Sequence, residues 1–250
     1  MNYYAITDIG RKYDHNEDFY ALPEPNEKLA VHTKDITQKG SLFVLCDGVG
    51  GLNAGEVAGE LTATWVLRDY YAPDDLQHLP DKLENVIKSV NDKIYQLAHE
   101  HESYYGMGTT LVAALLLNGK AFLYSAGDSR VYVLRNKQLT QLTEDQSEVW
   151  PLYKSGAISK DDLRFHPRNN IITMALGIEK NILLQRYTFD YKKDDLFLLC
   201  SDGLSDMIGD NDLQTILLKH RLLKPMAKSL VKTANKNGGK DNITAILIKI

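Results

Sequence analysis

The stretch TTLVAALLLNGKAFLYSAGDSRVYVLRNKQLTQL, residues 109–142, has the pattern of two consecutive β-hairpins. Its first two apolar runs flank Asn118-Gly119, a dipeptide that favours the tight two-residue hairpin turn. Its next two runs flank Asn136-Lys137 in the same way. Hairpin connections join antiparallel strands, so this stretch predicts an antiparallel sheet rather than a doubly wound parallel one.

The rest of the chain adds strands and helices with no linker, repeat or low-complexity segment between them. Apolar residues at helical spacing predict amphipathic helices. The predicted strands are 3–9, 41–46, 109–117, 120–126, 131–135, 138–142, 182–190, 195–200 and 243–250, and the predicted helices are 54–70, 81–99, 210–219 and 224–235. Because the helices come in groups, we expect an α+β fold of packed antiparallel sheets with helices outside. We expect one domain, residues 1–250, with an irregular flap at about 145–180.

The composition argues against nucleic-acid and membrane partners. The 250 residues have a net charge of −4, and their lysines and arginines are scattered along the sequence. Nucleic-acid binding needs a basic excess, and no apolar run approaches the ~20 residues that span a bilayer. With no signal-peptide pattern, a cytoplasmic protein is expected. Cys46 and Cys200 end apolar runs, and buried reduced thiols are favoured over a zinc pair because no Cys/His spacing supports zinc.

Carboxylates placed where strands end are the most informative feature of the sequence. They are Asp47, Asp128, Asp202 and Asp241, together with Glu17 and Asp18 after the first strand. A single Asp-Gly after a strand is typical of an ordinary turn. Several carboxylates at buried strand ends without matching arginines indicate a cation, because a charge removed from water needs a partner. Oxygen ligands favour Mg²⁺, Mn²⁺ or Ca²⁺, and the set suffices for two cations that share a carboxylate.

Taken in order, the motifs of the chain resemble those of the metal-dependent protein phosphatases of type 2C, particularly the compact bacterial members. The resemblance extends over nearly the whole chain. The motifs are Thr7-Asp8-Ile9-Gly10, Asn16-Glu17-Asp18, Asp47-Gly48-Val49-Gly50-Gly51, Gly106-Met107-Gly108-Thr109-Thr110, Gly127-Asp128-Ser129-Arg130-Val131-Tyr132, Leu142-Thr143-Glu144-Asp145, His166-Pro167-Arg168-Asn169 with Ala175-Leu176-Gly177, Ser201-Asp202-Gly203-Leu204 and Gly239-Lys240-Asp241-Asn242-Ile243-Thr244.

The resemblance implies a four-layer α-β-β-α sandwich of two antiparallel sheets flanked by helix pairs. It also implies a site with two Mn²⁺ or Mg²⁺ ions and a third, loosely bound ion. Asp47 would bridge both metals, and Asp202 and Asp241 would hold one of them. The carbonyl of Gly48 would hold the other, together with Glu17 or Asp18. Asp128 resembles a ligand of the third ion, and Ser129 and Asn242 resemble residues that orient the ligands.

The function implied by the resemblance is hydrolysis of phosphoserine and phosphothreonine on proteins. A metal-bridged water would attack phosphorus in line, without a phospho-enzyme, and Asp47, Asp202 and Asp241 would be the catalytic set. The substrates would be targets of a serine/threonine kinase, and the enzyme would act as a monomer.

Two positions depart from the family pattern. Tyr13 stands where relatives carry an arginine that binds the substrate phosphate, and a phenol does not replace a bidentate arginine in kind. Either Arg11 or Lys12 takes over the charge, or phosphate binding is weakened. In the second case, the chain would be a regulatory or binding module with weak or no phosphatase activity. Val49 stands where eukaryotic relatives often have a histidine, and it cannot donate a proton.

Overall fold

A computed structural model describes residues 1–49, 54–73 and 76–250. Its strands and helices are, in chain order, β1 (Asn2–Asp8), β2 (Asp18–Ala21), α1 (Thr33–Lys39), β3 (Ser41–Val49), α2 (Gly55–Tyr71), α3 (Leu79–Glu100), β4 (Gly108–Thr109), β5 (Leu111–Leu117), β6 (Lys120–Ala126), β7 (Arg130–Arg135), β8 (Gln138–Gln141), α4 (Trp150–Lys154), α5 (Lys160–Leu163), β9 (Gln185–Asp190), β10 (Leu196–Cys200), α6 (Asp202–Ser205), α7 (Asp210–Lys219), α8 (Leu223–Lys236) and β11 (Ile243–Lys249).

These elements form two compact units. The first unit comprises Met1–Asp18, Gly127–Met174 and Lys192–Ile250, and the second comprises Phe19–Ala126 and Ala175–Tyr191. No helix in the described ranges combines the length and the apolar character that crossing a bilayer requires.

The first unit is built on a five-stranded antiparallel sheet in the order β1-β11-β10-β7-β8. Helix α8 packs against β1 and β11. Its apolar residues recur at helical spacing and are buried, namely Met226, Ala227, Leu230, Val231 and Ala234. Strand β10 is buried at every position, as expected for a central strand. The sheet therefore fixes the end of β10, which Asp202 follows, and the start of β11, which Asp241 precedes.

The second unit is built on a sheet in the order β2-β3-β5-β6-β9, with β4 paired to β3. Helix α2 packs on β3 and against α3. The antiparallel pairing of β3 with β5 places Ser41 opposite Leu116 and Leu45 opposite Val112. Cys46, at the end of this buried run, is a buried thiol, as is Cys200 in the first unit.

The predicted fold class is confirmed as a mixed fold with two antiparallel sheets and helices. Asn118 and Gly119 have φ values of 49° and 80°, and Asn136 and Lys137 have 52° and 66°. These left-handed pairs are the turns that the hairpin prediction required. Several short elements were not predicted, among them β2 and α6, which have only four residues each, and α1, which carries the single large aliphatic residue Ile36.

The structure corrects the expectation that strand 41–46 stops before the first Asp-Gly. Strand β3 continues to Val49, and Gly48 pairs with Thr109 of β4. The second Asp-Gly is also not a hairpin turn, because Asp202 begins helix α6. The predicted flap contains α4 and α5, and its residues divide between the units after Met174. Gly50 and Gly51 of the first Asp-Gly motif lie outside the described residues.

Candidate metal centre

Asp18, at the start of β2, is a buried carboxylate with an unpartnered oxygen. Its Oδ2 accepts a hydrogen bond of 2.7 Å from the hydroxyl of Ser201. Its Oδ1 is buried without a hydrogen-bond partner among the described residues. Burial raises the pKa of Asp18 to about 7. Hydrogen bonds from the hydroxyls of Thr244 and Ser201 favour the charged form and oppose this rise. An oxygen in this state is available to a cation.

Burial and mutual repulsion raise the pKa values of a group of aspartates in the first unit. Asp202 begins α6, two residues after the end of β10. Its pKa is raised well above the usual range by burial and then by the charges of Asp128 and Asp206. Burial raises the pKa of Asp128 to about 7 and that of Asp206 to about 6. Each additional negative charge makes ionisation of its neighbours less favourable. This mutual repulsion is what a bound divalent cation would relieve.

Two glycines allow the segments that carry these carboxylates to approach closely. A Cβ on Gly203 would lie 2.0 Å from the carbonyl oxygen of Asn242, and a Cβ on Gly10 would lie 2.1 Å from that of Asp241. Gly10 also has a φ of +73°, which side chains disfavour. The glycine after Asp202 therefore serves close packing of α6 on the start of β11.

Asn242 fixes the loop between β1 and β2, here called the first loop, which carries Glu17. Its Oδ1 accepts a hydrogen bond of 2.8 Å from the backbone N–H of Glu17. Its Nδ2 donates to the carbonyls of Ile9 and His15, at 3.0 and 3.1 Å. The Glu17 carboxylate itself contacts Nε2 of His15 at 2.9 Å. Asn242 thus joins the first loop to the strand that follows Asp241.

Asp47 belongs to the second unit, where threonines fix its backbone. The hydroxyl of Thr109 and the backbone N–H of Thr110 both donate to the carbonyl of Asp47, at 2.9 and 2.8 Å. The N–H of Asp47 donates to the Thr110 hydroxyl at 3.2 Å. These bonds hold Asp47 and Gly48 at the point where β3 changes partner from β5 to β4.

The residues predicted to bind the substrate phosphate occupy different environments. Tyr13 is 40% exposed, and its hydroxyl accepts a hydrogen bond of 2.9 Å from Nζ of Lys12. The charge of Lys12 acts on Asp241, and it opposes the rise that burial causes in the pKa of that carboxyl. Arg11 instead lines a cleft beside α8 with Lys228 and Lys232. The structure therefore places the charge of Lys12 where it acts on Asp241, and it places Arg11 in the cleft beside α8.

Sequence reasoning missed Asp206 as a member of the acidic group. Nδ2 of Asn169 donates to Oδ2 of Asp206 at 2.6 Å. Asp206 follows Asp202 by four residues, so one helical turn brings it back to the same side of α6. That spacing was the available signal. Ser129, beside Asp128, is buried, as a residue behind the ligands would be.

Arg130 belongs to a separate, buried ion pair. Its Nη2 contacts Asp145 at 2.6 Å, and both side chains are almost fully buried. Asp145 therefore balances the charge of Arg130, which lowers the pKa values of Asp128 and Asp206 without cancelling the rise that burial causes.

The aspartates fit a hard divalent cation by chemistry and charge. They offer only oxygen atoms, which suits Mg²⁺ or Mn²⁺, and Asp18 holds an unpartnered buried oxygen. Within residues 1–49, 54–73 and 76–250, however, no three His, Cys, Asp or Glu side chains already converge on one point as metal ligands. Binding would therefore draw these repelling side chains together.

Comparison with known proteins gives one consistent family. The family model described as protein phosphatase 2C matches residues 30–248. The serine/threonine phosphatase stp of Listeria innocua is 36% identical over 97% of this chain and 93% of its own length. The crystal structure of the serine/threonine phosphatase Stp1 from Staphylococcus aureus is similar with a TM-score of 0.89 and 33% identity, over 100% of this chain and 94% of that one. The catalytic domain of the phosphatase PstP, described in complex with two manganese ions, has a TM-score of 0.81 and 30% identity, over 98% and 96%.

Without metal, the protein is expected to lose stability as the pH rises through the raised pKa values. Asp18 and Asp128 bind protons more tightly in the folded chain, with pKa values of about 7, than in the unfolded chain. Unfolding therefore releases protons, and the free energy of unfolding falls between about pH 5.5 and about pH 7.5, by on the order of 3 kcal/mol. In EDTA, Tm should fall by roughly 6–12 °C across this window.

Thermal unfolding followed by circular dichroism checks this expectation. Asp128→Asn should flatten the decline, because the amide does not titrate, and added Mn²⁺ should raise Tm most at the upper pH. Asp190→Asn, at an exposed position on β9, provides the control and should leave the slope unchanged. A metal-free protein whose Tm rises over this range would contradict the raised pKa values.

Proposed function

Because the chain belongs to the protein phosphatase 2C family and is a serine/threonine phosphatase, we propose that it hydrolyses phosphoserine and phosphothreonine of proteins with water, using divalent cations held by its aspartates. The observation that carries this proposal is the buried acidic group of the first unit, with the unpartnered oxygen of Asp18. The presence of two manganese ions in the complex of the similar PstP domain supports it.

The proposed ligands are those that the family resemblance implies. Asp47, the carbonyl of Gly48, Glu17 or Asp18, Asp202 and Asp241 would hold two ions, and Asp128 with Asp202 would hold a third. The chemistry that such ions supply when bound is activation of a water near neutral pH and neutralisation of charge on the phosphoryl group. Asp206 lies beside this set, and we propose that it adjusts the charge of the third position.

The protein's own residues prepare the site in two ways. Asn242 orients Glu17 through the backbone bonds of the first loop, so that the carboxylate is positioned before an ion binds. Ser201 holds one oxygen of Asp18 and leaves the other for a ligand role. Both contacts reduce the side-chain freedom that metal binding would otherwise have to remove.

We propose that Lys12 and Tyr13 together bind the substrate phosphate in place of the arginine. Tyr13 raises the pKa of Lys12 further through the hydrogen bond between them, so the ammonium stays charged at neutral pH. The ammonium provides a point charge near Asp241, and the phenol can donate one hydrogen bond. This pair lacks the planar double contact of an arginine, so we expect weaker phosphate binding than in relatives that have one.

Phosphate release from a phosphothreonine peptide is expected to need Mn²⁺ and to stop in EDTA. Asp47→Asn should lower kcat by more than about 100-fold, because a neutral amide would be a poor replacement for a carboxylate ligand of the proposed cations. Malachite-green detection of phosphate measures the rate, and Asp190→Asn on exposed β9 should retain it. Equal rates in Mn²⁺ and EDTA would overturn the proposed mechanism.

Replacing Tyr13 with arginine is expected to lower KM for the peptide by about tenfold, because a guanidinium makes two charge-assisted hydrogen bonds to phosphate. kcat should change less, since the cations are untouched. Tyr13→Phe, which removes only the hydroxyl, should raise KM. If KM is the same in all three proteins, the phosphate is bound elsewhere.

A further inference from the structure

Helix α8 concentrates positive charge that is scattered in the rest of the sequence. Lys224, Lys228, Lys232 and Lys236 follow one another at intervals of four residues, and all four are exposed. Residues four apart are neighbours on a helix surface. Residues 213–240 contain no aspartate or glutamate, so no acid within this stretch offsets the row.

The opposite face of α8 is buried in the core of the first unit. Met226, Leu230 and Val231 are buried in the same apolar cluster as Leu198 and Leu247 of the sheet. The helix can therefore neither rotate its lysines inward nor insert an apolar face into a bilayer. Its exposed face also carries no aromatic residue on which a base would stack. These features favour a protein segment as the anionic partner.

Two of these lysines join Arg11 in an open cleft between α8 and the first loop. The cleft has a volume of about 540 Å³ and includes one carboxylate, Asp8. Asp8 is already engaged, because its Oδ1 accepts hydrogen bonds of 2.9 Å from the N–H of Gly10 and from Nδ2 of Asn235. Three cations against one engaged carboxylate leave the cleft with an excess of positive charge.

The cleft lies directly beside the candidate metal centre within the same unit. The N–H of Arg11 donates to the carbonyl of Gly239 at 2.8 Å, two residues before Asp241. Gly10 packs against the backbone of Asp241, and Lys12 acts on its carboxylate. A substrate chain extends by about 3.3 Å per residue, so a few residues beside the phosphorylated one suffice to reach the cleft.

We propose that Arg11, Lys228 and Lys232 form a second anion subsite, which binds an acidic segment of the phosphoprotein substrate next to the residue that is dephosphorylated. The inference rests on the proposed function and adds a substrate class to it. Carboxylates of Asp or Glu, or a second phosphate on the same segment, have the chemistry that the subsite recognises. Arg11 would then bind the flank of the substrate, while Lys12 and Tyr13 bind the reacting phosphate.

Matched phosphothreonine peptides with three glutamates or three glutamines on one flank, prepared for each flank in turn, test this subsite. With Mn²⁺ and low salt, kcat/KM should be about three- to tenfold higher for the acidic peptide on at least one flank. The preference should shrink in about 0.5 M NaCl, because exposed charges are screened. Lys228→Gln/Lys232→Gln should reduce the ratio to less than about half of its wild-type value, because only Arg11 of the subsite remains.

The double variant Lys34→Gln/Lys193→Gln removes the same charge from two exposed positions elsewhere and should keep the wild-type ratio. Hydrolysis of both peptides at equal rates by the wild type would overturn the subsite and leave the proposed function intact. No hydrolysis of either peptide would overturn both. Sedimentation with phosphatidylserine vesicles that requires Lys228 and Lys232, without a preference for the acidic peptide, would assign the lysines to a membrane and overturn the subsite.

Discussion

The cost of removing carboxylates from water is the constraint on which this site depends. Asp18, Asp128 and Asp202 are buried at or near the termini of strands, where their charged forms are poorly solvated and repel one another. A protein that needed only stability would place amides or apolar residues there. The fold instead keeps these carboxylates buried, and their pKa values are raised. A divalent cation is the partner that makes such an arrangement favourable.

The local backbone of the first unit allows the segments that carry these carboxylates to lie close together. Gly10 and Gly203 remove the side chains that would otherwise keep the first loop and α6 away from β11. Asn242 then connects the first loop to β11 through three hydrogen bonds. The same close packing leads the first loop past Asp241 to the cleft at α8. The first loop therefore contacts both the segment that carries Asp241 and the cleft that contains Lys228 and Lys232.

Features with local causes could be predicted from the sequence, and features made by distant contacts could not. The hairpin at Asn118-Gly119 follows from turn chemistry, and α3 from its apolar spacing, so both were found. The bond of Asn242 to Glu17 joins residues 225 positions apart, and that of Asn169 to Asp206 joins residues 37 apart. No pattern along the chain encodes these pairs. The family resemblance implied candidate ligands. That the side chains of Lys12 and Arg11 have different surroundings is seen only in the folded loop.

Calorimetric titration of the metal-free protein with Mn²⁺ tests the central claim most directly. At about pH 6.5, in buffers of different ionisation enthalpy, binding should release protons, because Asp18 and Asp128 are largely protonated until an ion displaces their protons. The release should be smaller at about pH 8.5, where Asp18 and Asp128 are already ionised. Binding without proton release at about pH 6.5, or no binding at either pH, would contradict the view that these buried carboxylates form a cation site.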